Sequence, residues 1–182
     1  MLPRSRNIFF ISDTHFFHEN ILSFRDDEDR LIRGHLFKNV HEMNECILDN
    51  WNSVVSPQDK VYHLGDVAVG VKHQDAFSYL MSRLNGHLRL ILGNHDHIDQ
   101  PAYRYFDSIS LWTGGKFKKD GFVCSHIPLR RDQMRDGEYN VHGHIHQRSM
   151  DDPHYINVCV EQTGYRPVSI EGIKAYIANR NS

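Results

Sequence analysis

Asn7-Ile8-Phe9-Phe10-Ile11-Ser12-Asp13-Thr14-His15 is an apolar run that stops on a carboxylate and an imidazole two positions apart. The unbroken run predicts a strand over 7–12 buried on both faces, since a strand with one wet face would alternate. The pattern then repeats. Val40, Met43, Ile47, Trp51 and Val54-Val55 have helical spacing over 39–55, and Pro57 ends that segment. Lys60-Val61-Tyr62-His63-Leu64 predicts a strand that delivers Gly65-Asp66, Gln74 to Leu84 a second helix, and Leu88 to Leu92 a third strand ending in Gly93-Asn94-His95-Asp96. Strand, helix, strand, helix, strand is an α/β rhythm, and in such sheets the loops at the strands' carboxyl ends converge on ligands.

The second half reads differently. Short β runs at 108–112, 122–125, 139–141 and 155–160 are separated by charged or glycine-rich turns, and a helix over 168–178 with Ser169 as its N-cap closes the chain. With 182 residues and 40% hydrophobic content, one domain over 1–182 is expected.

A formal charge of −2, from 21 basic and 23 acidic residues, offers no overall attraction to nucleic acid or an anionic membrane. Nucleic acid would have to be recognised locally, and no partner membrane is expected. Cys46, Cys124 and Cys159 are an odd number without a C-x-x-C, which argues against a disulfide framework and for a reducing compartment. The run at Ile8–Ile11 is too short for a signal peptide and no stretch is long enough to span a bilayer, so a cytoplasmic protein is expected.

Fourteen histidines are the compositional outlier, and five of them lie in short motifs at strand ends. Those motifs are Asp13-Thr14-His15, Gly65-Asp66, Gly93-Asn94-His95-Asp96, His126 and Gly143-His144-Ile145-His146. In a strand, residues i and i+2 share a face, so Asp13 with His15, and His144 with His146, are expected to present pairs of ligands to one cavity. Gly65, Gly93 and Gly143 would let backbone approach a bulky centre. Mixed oxygen and nitrogen donors without thiolate suit Mn²⁺ first, and also Fe, Zn²⁺, Ni²⁺ or Co²⁺, and disfavour Ca²⁺ or structural zinc. Two divalent ions, less the charges of Asp13, Asp66 and a bridging hydroxide, leave a site near +1 that would draw in a phosphate. Such a pair about 3.5–4 Å apart activates hydroxide for in-line attack on phosphorus.

The ordered set D-x-H, GD, GNHD, H and GHxH resembles the calcineurin-like metallophosphoesterases over positions 13 to 146. The fold this implies is a four-layer α/β arrangement, a two-sheet β-sandwich flanked by helices. The resemblance implies that Asp13, His15 and His146 hold one metal, that Asp66 bridges, and that Asn94, His126 and His144 hold the second. It further makes His95 the acid that protonates the leaving alkoxide, with Asp96 orienting it through the far ring nitrogen. His15-Phe16-Phe17-His18-Glu19-Asn20-Ile21, Glu42-Met43-Asn44-Glu45 and Ile156-Asn157-Val158-Cys159-Val160 are similar to small prokaryotic and phage members.

The charge-rich segment from 19 to 38 is a solvated loop or, following a ligand-bearing strand, a substrate lid. His18 and Asn20 are expected near the substrate phosphate, and Arg33, with Arg25 and Arg30, to offer it a guanidinium. His63 is expected to be a buried histidine bonded to backbone, and Lys116-Phe117-Lys118-Lys119 a turn. The favoured activity is hydrolysis of small soluble phosphodiesters, and of monoesters beside them, such as nucleotides. The alternatives are a nuclease or nucleic-acid end-processing enzyme and a non-catalytic scaffold.

Overall fold

A computed structural model describes residues 6–180. Five strands, β1 (Ile8–Ile11), β2 (Lys60–His63), β3 (His87–Ile91), β4 (Phe106–Ser110) and β8 (Val168–Ser169), form one sheet in the order β4-β3-β2-β1-β8. β1 to β4 run parallel, and β8 pairs antiparallel with β1. A second sheet of three parallel strands is ordered β5 (Phe122–Cys124), β6 (Tyr139–His142), β7 (Tyr155–Asn157). The molecule is thus the expected mixed α/β sandwich, its two sheets flanked by helices.

The pleat explains why the strands are apolar on both faces. Phe9, Ile11, Val61, Leu88 and Leu90 point into one core, shared with helices α1 (Val40–Val54) and α2 (Gln74–Arg83) through Ile47, Trp51, Phe77 and Leu80. Phe10, Tyr62 and Ile91 point the other way, onto Phe122, Tyr139, Val141 and Ile156 of the smaller sheet. Phe117 belongs to this second core, so Lys116 to Lys119 is a packed turn, with the Lys116 ammonium over the Tyr62 ring. Helix α4 (Ile170–Arg180) lies beside β1 and β8 and adds Ile173 to the same core.

Local chemistry sets the element ends. Asn39 caps α1 by accepting from the Glu42 N–H, while the Glu42 carboxylate accepts from the Lys38 N–H. Ser169 caps α4 through the Gly172 N–H, as expected, but α4 starts only at Ile170 because Val168 and Ser169 are taken into the sheet. The strand expected over 155–160 ends at Asn157, whose side-chain oxygen accepts from the Cys159 N–H and turns the chain into the short helix α3 (Val160–Thr163). β4 begins two residues earlier than expected because Phe106 is buried and pairs with Leu88. No described helix is long and apolar enough to cross a membrane.

The 19–38 segment is not a free lid. It opens with a 3-10 turn at Glu19–Ser23, its Arg33 is fully buried, and Gly34 packs so closely that a side chain there would run into the Leu22 carbonyl. Arg25 pairs with Asp29, and Arg30 with Asp26 and Glu28, within the segment itself.

Candidate metal centre

Each sheet delivers its motifs at the carboxyl ends of parallel strands, and the sheets meet where they do so. The Ser12 N–H donates to the Val158 carbonyl, and the Val160 N–H donates back to Ser12, stitching the end of β1 to the end of β7. That seam brings Asp13 and His15 against the loop that follows β6.

The side-chain directions come from turns rather than from the pleat, which corrects the expectation of an i, i+2 face. β1 stops at Ile11 and β6 at His142, so the ligand candidates lie beyond the strands. Asp13 (φ 57°), His15 (φ 48°), Asp66 (φ 56°), His144 (φ 73°) and His146 (φ 51°) all hold left-handed backbone. For L residues this costs of order 1–3 kcal/mol each, and such outliers gather at functional sites. The surroundings enforce it: the Asp13 N–H donates to Gly65, the His15 N–H to Asp66, and the His144 N–H to Asp13 Oδ2 at 2.9 Å. A side chain on Gly143 would collide with Ser12 Oγ and Asp13 Oδ2, and one on Gly65 (φ 97°) would sit 2.6 Å from the Gly93 Cα.

Two groups of donors result. Asp13, His15 and His146 form one and Asp66, His126 and His144 the other, with the ligand atoms of each group within 4.8 Å of one another. The groups adjoin, because His15 Nε2 stands 3.7 Å from both Asp13 Oδ1 and Asp66 Oδ2. Asp66 Oδ2 also lies 3.5 Å from His126 Nε2. Asn94 joins the second group, its Oδ1 2.9 Å from His126 Nε2.

These residues fit a pair of cations. His126 Nδ1 donates to the Leu64 carbonyl at 2.7 Å, which leaves Nε2 as a lone pair. Nε2 faces His144 Nδ1 at 3.2 Å, Asn94 Oδ1 at 2.9 Å and Asp66 Oδ2 at 3.5 Å, so three further ligand-type atoms converge on it. In the other group, Asp13 Oδ1 and His15 Nε2 are buried and have no hydrogen-bond partner. Burial pushes the Asp13 carboxyl up, but His15, His126 and His146 around it outweigh that and hold it well below the usual carboxylate range. Asp66 is held down in the same way, against burial, chiefly by His126.

Two expected roles are corrected. Asp96 does not orient His95: its Oδ2 accepts from the Asp66 and Gly93 N–H groups and its Oδ1 from the Val67 N–H and the Tyr103 hydroxyl. Spent on four donors, it fixes the loop at 93–96 to the loop after β2. His95 itself is exposed at the rim, anchored by its N–H to Asp66 Oδ1, with its ring 5.9 Å from that of His15. Arg33 does not reach for substrate. It donates to the backbone carbonyls of Asp13 and Thr14 and to Glu161, so the charge is spent beneath the ligands.

Of the remaining expected contacts, His18 lies with its ring 5.3 Å from His15 and its Nδ1 buried without a partner, while Asn20 is exposed on the 3-10 turn. Burial first, then His15 and Arg33, push the His18 pKa down to about 4. His63 is buried as expected: it stacks on Trp51, bonds Thr14 Oγ1 through Nε2, and accepts the Gly65 N–H on Nδ1.

Sequence reading missed Glu161 and Cys159. Glu161 Oε1 accepts from His146 Nδ1 at 2.9 Å and from Arg33, which orients the ring and leaves Nε2 toward Asp13. Burial drives the Glu161 carboxyl up, and Arg33 and His146 more than reverse it. Cys159 Sγ donates to Asp13 Oδ2 at 3.2 Å, its thiol kept protonated by burial and by Asp13 and Glu161. Neither residue carries a local signal, since α3 meets the site only through the seam between the sheets.

A model of the calcineurin-like phosphoesterase family matches residues 6–177. Uncharacterized protein MJ1445 of Methanocaldococcus jannaschii is 33% identical over 173 residues, which cover 91% of this chain and 88% of that one. The gene 66 protein of Mycobacterium phage L5 is 29% identical over 170 residues and covers 77% of each chain. The crystal structure of AQ665 from Aquifex aeolicus, described as a protein of unknown function, matches with a TM-score of 0.73 at 27% identity. That match covers 94% of this chain and 99% of the other.

Proposed function

Because this chain belongs to the calcineurin-like phosphoesterase family, we propose that it is a dinuclear metal-dependent phosphoesterase that hydrolyses phosphodiester bonds of small soluble substrates such as nucleotides. The observation that supports the reading is the adjoining pair of donor groups, with orphaned buried ligand atoms in one and ligand-type atoms converging on His126 Nε2 in the other. Asp13, His15 and His146 would hold one ion, Asn94, His126 and His144 the second, and Asp66 both. Two divalent ions, Mn²⁺ in the first place, would supply Lewis-acid polarisation of the phosphoryl oxygens and activation of water near neutral pH.

The chain's own residues do the rest. His95, exposed on a loop pinned by Asp96, gives a proton to the departing alkoxide. His18, whose buried Nδ1 is unpartnered, donates to a substrate phosphate oxygen through its own ring N–H. Of the arginines near the cleft, Arg25 pairs with Asp29 and Arg148 with Asp27, which supports a small substrate over a nucleic-acid backbone. Three free cysteines accord with a protein of the cytoplasm.

The test is hydrolysis of bis-p-nitrophenyl phosphate beside p-nitrophenyl phosphate by protein stripped of metal and reloaded with Mn²⁺, Ni²⁺, Zn²⁺ or Mg²⁺. Turnover that returns with metal, favours the diester and disappears in Asp66→Ala is the expected result. Two bound ions without turnover of any ester, or no bound ions, would overturn it.

A further inference from the structure

The metal centre is flanked by two unlike hollows. On the side of His144 and His146, a cleft of about 570 Å³ has a mixed lining, Arg25, Gln147 and Arg148 beside Phe24 and Ile32. Beside Asn94 and His126, a hollow of about 400 Å³ is walled by those two residues together with Leu111, Trp112, Ile127 and Leu129. Three of those apolar side chains are exposed: Leu111 at 74%, Trp112 at 54% and Ile127 at 54%. Apolar residues scattered over a surface need no explanation, whereas a group of them sharing a concave wall with two ligand residues does.

The wall is hydrogen-bonded to the segment that carries His126. Trp112 bridges to Ser125, the Thr113 N–H donates to the Cys124 carbonyl, and the Cys124 N–H donates to Thr113 Oγ1. Ser125, directly before His126, donates through its hydroxyl to the Ile127 carbonyl. The two segments that make the apolar wall, 111–113 and 125–129, are thus joined to each other, and the second carries the ligand candidate His126.

We infer that Trp112, Leu111 and Ile127 form a subsite for a flat aromatic substituent on the substrate's phosphoester, a nucleobase or an aryl group. This rests on the phosphoesterase reading, since the phosphate is what would place the substituent there. A ring held between Trp112 and the aliphatic pair stacks without needing hydrogen bonds, so the subsite accepts aromatic esters as a class and sets no strict base identity. A second copy of the chain is the other occupant such a patch could take. The hollow's sharing of Asn94 and His126 favours substrate.

Trp112 also reports on the subsite. The other tryptophan, Trp51, is 1% exposed in the core, so quenching of emission by a bound ring reads Trp112. The full-length protein with Mg²⁺ is titrated with adenosine monophosphate, phenyl phosphate and ribose 5-phosphate, by fluorescence and by calorimetry, alongside Trp112→Ala and Leu111→Ser. The two ring-bearing phosphates are expected to bind roughly tenfold more tightly than ribose 5-phosphate, with saturable quenching. Trp112→Ala should erase that preference while leaving ribose 5-phosphate unchanged, and Leu111→Ser should reduce it.

A stronger effect of adenosine monophosphate than of phenyl phosphate identifies a nucleobase site, and equal effects an aryl site. Equal binding of all three phosphates, or a preference that survives both variants, overturns the inference. So does a concentration-dependent dimer in sedimentation that Trp112→Ala dissolves. Ring-dependent binding without turnover of any ester would fail the phosphoesterase reading and keep the subsite, whereas turnover without ring preference would do the reverse.

Discussion

Asp13, His15 and His146 lie in the body of the molecule, while Asn94 and His95 stand at its rim. The inner group is braced from behind by Arg33, Glu161 and Cys159, each buried and each bonded to a ligand residue. The outer group is braced from the side by Asp96, which clamps two loops; Asp66 and His126 are buried there, and Asn94, with His95 beside it, is left exposed. The contrast separates two tasks. The inner half is held by charge pairs that would be costly to break, and the outer half keeps the exposed groups that meet a substrate.

Four variants would break or sharpen that contrast. The largest effect is expected at the rim. His95→Ala should lower turnover of alkyl phosphodiesters by roughly 10²–10⁴-fold and of p-nitrophenyl esters far less, because p-nitrophenolate leaves without a proton. Steady-state rates on the two ester types check it, and equal losses would remove His95 from the acid's role.

Arg33→Ala should act on stability first. It leaves the buried Glu161 carboxylate with His146 alone and strips the Asp13 and Thr14 carbonyls of their donor, which costs about 3–5 kcal/mol in urea unfolding of the metal-free protein. Adding Glu161→Gln should recover part of that loss, since the two residues share one pair. Additive losses would show that Arg33 acts only by packing.

Glu161→Gln alone should weaken one of the two ions by roughly 10–100-fold and leave the other nearly unchanged. Metal titration by calorimetry reads the two sites separately. Equal weakening of both would mean that the halves are not braced independently.

The smallest effect is a pH dependence at the floor shared by both halves. Burial pushes the His63 pKa down to about 4, against the pull of Asp96, Asp13 and Asp66. Between that value and about 6.5 the unfolded chain binds a proton that the folded chain refuses, so stability falls as pH is lowered through the window. Its slope is at most about 1.4 kcal/mol per pH unit. His63→Gln should flatten that part of the curve in thermal melts at pH 4.5 to 7, and an unchanged slope would place the proton elsewhere.

The chain's order of strands and helices was legible because each apolar run is short, bounded by turn residues and ended by a motif. Seven ligand candidates, Asp13, His15, Asp66, Asn94, His126, His144 and His146, could be named from their place at strand ends, and the structure brings all seven together. Their directions could not be read. A pleat argument put Asp13 and His15 on one face, and the same pairing arises instead from two left-handed residues held by hydrogen bonds to another strand's loop.

What the amino-acid sequence determined by itself is the local layer: strand runs, helix caps such as Asn39 and Ser169, and the donor types each strand end offers. These depend on contacts between neighbours in the chain. Tertiary structure alone decided the roles of Arg33, Asp96, Glu161 and Cys159. A charge in a polar segment reads as solvated until folding buries it, and Glu161 meets Arg33 across 128 positions of chain. The Trp112 wall belongs to this second class as well, since Leu111 and Ile127 become neighbours of Asn94 only when the two sheets pack on each other.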